Sequence, residues 1–123
     1  MDKIYLDQEG YEKYLKEIEK ANGELNAYVN VTEDVAIAQA QKVDEKIATG
    51  QGIGLLEGVP FTLKDNISTK DIETTCCSKM LLGYKPVYDA TVYKRLKNNG
   101  AVLLGKTNMD EFAMGSSGEN SCF

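Results

Sequence analysis

Lys64, the adjacent Cys76-Cys77, and the Gly115-Ser116-Ser117-Gly118 loop are the places in this chain where residue types and spacing could do chemistry. The sequence has no histidine, which removes the Ser-His-Asp triad, the Cys-His pair and every histidine-bearing metal site. Acid–base chemistry therefore falls to carboxylates, lysine, tyrosine or cysteine. Lys64 ends the apolar run Val59-Pro60-Phe61-Thr62-Leu63, so its ammonium is expected to be partly buried beside Asp65 and Asn66. Desolvation lowers a lysine pKa and a neutral amine is a competent general base, whereas Asp65 favours the charged form. A solvated or salt-bridged lysine is the alternative, and residue types alone leave both open.

The other candidates have competing structural readings. Gly100-Ala101-Val102-Leu103-Leu104-Gly105-Lys106-Thr107 fits the phosphate-loop pattern letter by letter. That chemistry needs a flexible loop between a strand and a helix. Ala101 to Leu104 reads as a buried strand and Gly100 follows a helix, so the match is taken as coincidence. Gly50-Gln51-Gly52-Ile53-Gly54 likewise comes after a helix and is a flexible connector. Cys76-Cys77 lacks the spacing of a redox pair and is read as packing. The Gly115–Gly118 loop is either a plain turn or a place where small residues let a ligand or oxyanion approach.

The elements that must position these residues can be read from periodicity. Asp7 caps a first helix, with Leu6 and Tyr11 as a hydrophobic staple. Tyr11, Tyr14, Leu15, Ile18 and Leu25 form its apolar stripe, and Asn22-Gly23 is expected to end it. Ala27 to Val31 is a short extended piece. A second helix starts at Thr32, buries Ala36, Ala40, Val43 and Ile47, and stops at Gly50. Val59 to Leu63 is a strand with Pro60 near its start, where a missing N–H is tolerated. Residues 65–88 are irregular apart from a helical turn around Ser78 to Leu82. Asp89 is expected to cap a helix through Val92 and Leu96, closed by Asn99-Gly100 before a second strand, Ala101 to Leu104. Asn108 is expected to open a last short helix through Phe112. Two apolar strands separated by a helix suggest a βαβ unit with parallel pairing.

Length and composition set the outer limits. The 123 residues suit one domain, and 42% hydrophobic with 27% charged residues is globular. A net charge of −5 and no basic patch leave no electrostatic footprint for nucleic acid. The N-terminus lacks the apolar core of a signal peptide and no run reaches membrane-spanning length. Three cysteines, an odd number with two adjacent, fit a reducing cytosol and a cytoplasmic location.

Several segments, taken together, carry a resemblance. Gly58-Val59-Pro60-Phe61-Thr62-Leu63-Lys64-Asp65-Asn66 resembles a block of the amidase-signature enzymes. Asp89-Ala90-Thr91-Val92 and Gly100 to Asn108 resemble that family's next block. Asn108 to Ser121 and Thr74-Thr75-Cys76-Cys77-Ser78-Lys79 are similar to one branch, the glutaminase A-subunits of the glutamyl-tRNA(Gln)/aspartyl-tRNA(Asn) amidotransferases, which often have Cys-Ala at Cys76-Cys77. The similarity extends from about Leu25 to Phe123.

The resemblance implies an α/β fold: a mixed β-sheet covered by helices, with N-terminal helices followed by the βαβ-type unit. It implies that residues 1–123 are a truncated N-terminal portion of a single amidase domain. Lys64 would be the base of a Ser–cis-Ser–Lys triad whose two serines lie downstream of Phe123, and Met114, Gly115 and Ser116 would line the substrate pocket. The nucleophilic serine attacks the carboxamide of glutamine, and the ammonia serves a tRNA-bound ester. The amidotransferase B- and C-subunits would be the partners, with tRNA, ATP and magnesium handled by the partner subunit and no cofactor in this chain. The 123-residue chain alone is expected to be inactive. Two alternatives stand beside this: a fragment of a general amide hydrolase of the same superfamily, and a non-catalytic partner-binding domain.

Overall fold

The apolar run Val102-Leu103-Leu104 is buried on both sides because it lies at the centre of a mixed sheet. The computed structural model describes residues 7–123. In chain order these form α1 (Gln8–Leu25), β1 (Tyr28–Val31), α2 (Glu33–Ala48), β2 (Pro60–Lys64), α3 (Thr91–Asn98) and β3 (Val102–Thr107). Short 3-10 turns occupy Lys79–Leu81 and Glu111–Ala113. The sheet order is β1-β3-β2, with β3 antiparallel to β1 and parallel to β2. The parallel βαβ pairing read from the sequence is thus present, and the extended piece near Ala27 joins the sheet as β1.

Two apolar clusters cover the faces of β3. Tyr11, Ala36, Ala40, Val102 and Leu104 pack on one side under α1 and α2, while Leu63, Tyr93 and Leu103 pack on the other under α3. A strand enclosed this way must be apolar at successive positions, which is why it reads as a continuous run. Each fully buried Leu or Val contributes about 1.5–3 kcal/mol. The chain from Gly100 to Thr107 is therefore a turn and a strand, and no phosphate loop forms.

Several boundaries differ from the sequence reading, each where a side chain bonds a partner other than the expected local cap or stop. Asp7 does cap α1, accepting from Gly10 N at 2.9 Å; the staple with Leu6 lies outside the described residues. The helix continues through Asn22-Gly23 to Leu25 and ends on Asn26, which is left-handed at φ 49°. Asn22 is occupied instead with Tyr28, accepting from its N–H at 2.8 Å and donating to its carbonyl at 2.9 Å. Tyr14 and Leu25 of the expected stripe are exposed, as is Ile47 of α2. Thr32 precedes α2 without capping it, because its hydroxyl donates to Leu103 O at 3.0 Å.

Asp89 is not a cap either. Helix α3 starts after Ala90, and Asp89 accepts from Lys70 N at 2.8 Å and pairs with Lys97 at 3.5 Å. Asn108 opens no helix. It spends its amide on Asn26 O at 3.0 Å and its Oδ1 on Met109 N and the Ser121 hydroxyl, leaving Asp110 to precede the 3-10 turn.

Candidate active site

Strand β2 carries Lys64 to its last position, where alternation decides the fate of each side chain. Leu63 and Asp65 point into the buried side, Asp65 only 1% exposed, and Lys64 points the other way and is exposed. The expected partial burial of Lys64 is therefore wrong, since Leu63 already claims the inward position. The buried ammonium belongs to Lys106 of β3, which is 0% exposed. It donates to Ile67 O and to Thr74 Oγ1, each at 2.9 Å, and faces Asp65 Oδ1 at 3.4 Å. Burial lowers its pKa, against an opposing pull from Asp65.

Asp65 organises the chain beyond the strand. Its Oδ2 accepts from Thr75 N at 3.0 Å and from the Thr75 hydroxyl. Its N–H donates to Thr107 O at 3.1 Å and its carbonyl accepts from Cys76 N at 2.8 Å. Cys76 O in turn accepts from Phe112 N at 3.0 Å, and Cys77 O from Cys122 N at 3.1 Å. The 75–77 segment is thus a backbone bridge between the end of β2 and the 110–122 loop. Burial pushes the Cys76 and Cys77 thiols up, Cys77 donates to Asn108 Oδ1 at 3.3 Å, and both cysteines are free. The Cys77 thiol is buried, in keeping with the packing reading, whereas that of Cys76 is intermediate in exposure.

Met114, Gly115 and Ser116 are exposed on that loop. Asp110 shapes it by accepting from Gly118 N at 3.0 Å and Asn120 N at 2.9 Å. A Cβ on Gly115 would sit 2.5 Å from Asp110 Cγ, so the close approach demands glycine. No hydrogen bond or ion pair joins Lys64 to these three residues among the described residues. What the fold provides is a shared scaffold: strand end, bridge and loop are tied in series.

Four non-glycine residues of this scaffold hold positive φ, namely Cys76 (51°), Cys77 (52°), Phe112 (49°) and Ala113 (60°). Such backbone costs on the order of 1 kcal/mol each and gathers at functional sites. Sequence reasoning had no signal for it, because Cys-Cys and Phe-Ala lack the Gly or Asn that usually marks left-handed positions. It also passed over Lys106, Asp110 and the anchoring role of Asp65. A cavity of about 810 Å³ lies elsewhere, between α1 and the β1–α2 segment, and includes none of these residues. Among the described residues no group of three or more His, Cys, Asp or Glu side chains could hold a metal ion, and no helix is long and apolar enough to cross a membrane.

The amidase family model matches residues 9–123, reaching further toward the N-terminus than the resemblance did. The second glutamyl-tRNA(Gln) amidotransferase A-subunit of Clostridium acetobutylicum is 50% identical over all 123 residues, which are 26% of its length. The chain spans about a quarter of the length of such relatives and corresponds to their N-terminal part. Among solved structures, the glutamyl-tRNA(Gln) amidotransferase A-subunit of Thermotoga maritima overlays with a TM-score of 0.68 at 38% identity, over 96% of this chain and 24% of that one. A chain from a vestigial complex bearing on the origins of an s-triazine catabolic enzyme gives 0.87 at 35% identity, over 92% and 25%. With the family model spanning 9–123 and the strand-end lysine block seated on a mixed sheet, the chain belongs to the amidase family.

Proposed function

We propose that residues 1–123 are the N-terminal portion of a single amidase domain that hydrolyses glutamine for tRNA-dependent amidation, with Lys64 as its general base. The observation that carries this reading is the 50% identity, over all 123 residues, to a glutamyl-tRNA(Gln) amidotransferase A-subunit. The geometry supports it, because Lys64 leaves the end of a strand whose next residue is locked from several sides. Lys64 takes the proton of a relay serine, which takes that of the nucleophilic serine. The serine oxygen bonds to the side-chain carbonyl carbon of glutamine, the C–N bond breaks, and the nitrogen leaves protonated as ammonia. Water then releases glutamate from the acyl-enzyme.

Ser116 and Ser117 do not take these serine roles. They lie in the Asn108–Ser121 block, on a loop shaped by Asp110, where Met114, Gly115 and Ser116 line the glutamine pocket. The B- and C-subunits are the proposed partners, and tRNA contact passes through the partner subunit. That division agrees with a net charge of −5. ATP with magnesium belongs to the partner's activation step. Free Cys76, Cys77 and Cys122 support a cytoplasmic location.

Ammonia release from glutamine tests this directly. In the complete enzyme carrying this stretch, Lys64→Ala is expected to lower kcat by about 10³-fold, while residues 1–123 alone release none. Undiminished hydrolysis by Lys64→Ala, or ammonia from the 123-residue chain, would remove the assignment. A TM-score of 0.79 at 35% identity to a peptide amidase favours a second reading, a general amide hydrolase. Rapid hydrolysis of simple amides with no partner subunit present would select it.

A further inference from the structure

We propose that Lys106 is a positioning residue for Lys64, acting through Asp65; the inference rests on Lys64 being the base. Its ammonium is fully buried and shared among three segments, at Ile67 O, Thr74 Oγ1 and Asp65 Oδ1. Burying a cation is costly unless its partners repay it. Such a charge directly behind the residue that follows Lys64 calls for a physical reason.

Strand alternation alone would not put it there. Val102 and Leu104 pack under α1 and α2, and a regular strand would send Lys106 to the same side. The pairing of β2 with β3 slips by one residue between Phe61–Leu103 and Thr62–Gly105, so Leu104 has no partner on β2. Lys106 then pairs with Leu63 and shares the face of Leu63 and Asp65. Extra residues of this kind re-aim side chains and recur beside active sites.

Asp65 supplies the link. Oδ2 holds the Thr75 amide and hydroxyl, whereas Oδ1 receives no hydrogen bond among the described residues and faces only the Lys106 charge. Without Lys106 the carboxylate is a buried, uncompensated charge. It must then take up a proton or turn toward water. Either change loosens Thr75, the Cys76 bridge and the chain reversal that fixes where Lys64 leaves the sheet. Lys106 touches neither substrate nor reacting atoms, so its effect is geometric.

The test uses the complete enzyme, with glutamine-dependent ammonia release giving kcat and KM separately and acyl-enzyme bursts counting folded sites. Lys106→Met is expected to lower kcat by about 100-fold, with KM within about threefold of the unaltered enzyme. The uncharged pair Asp65→Asn with Lys106→Met should regain about tenfold, since an amide still accepts from Thr75 and no charge is stranded. Thr74→Val removes one acceptor without changing charge and should lower kcat about fivefold; with the double variant, it decides the matter if Lys106→Met does not fold. Unchanged kcat in these variants, a loss confined to KM, or a double variant no better than Lys106→Met overturns the inference. Lys64→Ala run in parallel separates the two ideas. Retained activity there removes the base itself, whereas an inactive Lys64→Ala beside a fully active Lys106→Met removes only the positioning role.

Discussion

Lys64 and Lys106 stand in adjacent strands, yet one is exposed and the other has no contact with water. The difference is the face each occupies, and it gives them different consequences when lost. Removing Lys106 strands Asp65 in the interior, so Lys106→Met should destabilise the fold by about 3–5 kcal/mol, read from the urea midpoint. Lys64→Ala should leave that midpoint nearly unmoved, and an equal shift for both would contradict the assignment of faces. Gly115 offers a second residue-scale test. Its alanine variant puts Cβ 2.5 Å from Asp110 Cγ, and about 1–3 kcal/mol of strain should follow. A Gly115→Ala variant as stable as the parent would mean that the loop yields freely. Lys64 could be picked out from the block around it. Lys106 could not, because its partners Ile67, Thr74 and Asp65 are all distant along the chain.

At the scale of elements, α1 is tied to the turn before β2 by Tyr11, whose buried hydroxyl donates to Gly58 O. Burial, with a smaller contribution from Tyr14, pushes its pKa from 10.0 up to about 12. The unfolded phenol ionises first, so between pH 10 and 12 the folded state binds more protons and stability falls as pH rises. The loss should be on the order of 2 kcal/mol across that window. Tyr28 and Tyr93, also raised by burial, add in the same direction. Thermal melts of Tyr11→Phe should show a flatter alkaline limb, and an identical limb would point to the other tyrosines. Element types and most helix faces were legible from periodicity. Their ends were not, since Thr32, Asp89 and Asn108 each spent side-chain capacity on a distant partner, and Asn22 on nearby Tyr28, instead of a local cap or stop.

For the molecule as a whole, the balance of buried and exposed apolar surface bears on behaviour in solution. Strands β1 and β2 are the outer members of the sheet, and Leu55, Met80, Val87 and Met114 are prominent among the exposed apolar side chains. Outer strands and apolar surface invite pairing with further chain. The isolated 123 residues should therefore self-associate, seen as a sedimentation coefficient that rises with concentration. A clean monomer at about 100 μM would refute this, because surface of that kind is not left bare in well-behaved monomers.

The sequence by itself determined the family block around Lys64, the absence of histidine chemistry, most of the helix faces and the parallel pairing of two apolar strands. These are local properties, carried by residue types at short spacing. Tertiary structure decided which lysine is buried, where the register slips, and how Asp65 and the Cys76 bridge connect the strand end to the Met114–Ser116 loop. The reason is physical. Burial and compensation of a charge depend on groups brought together from distant parts of the chain, and no short window of sequence contains them.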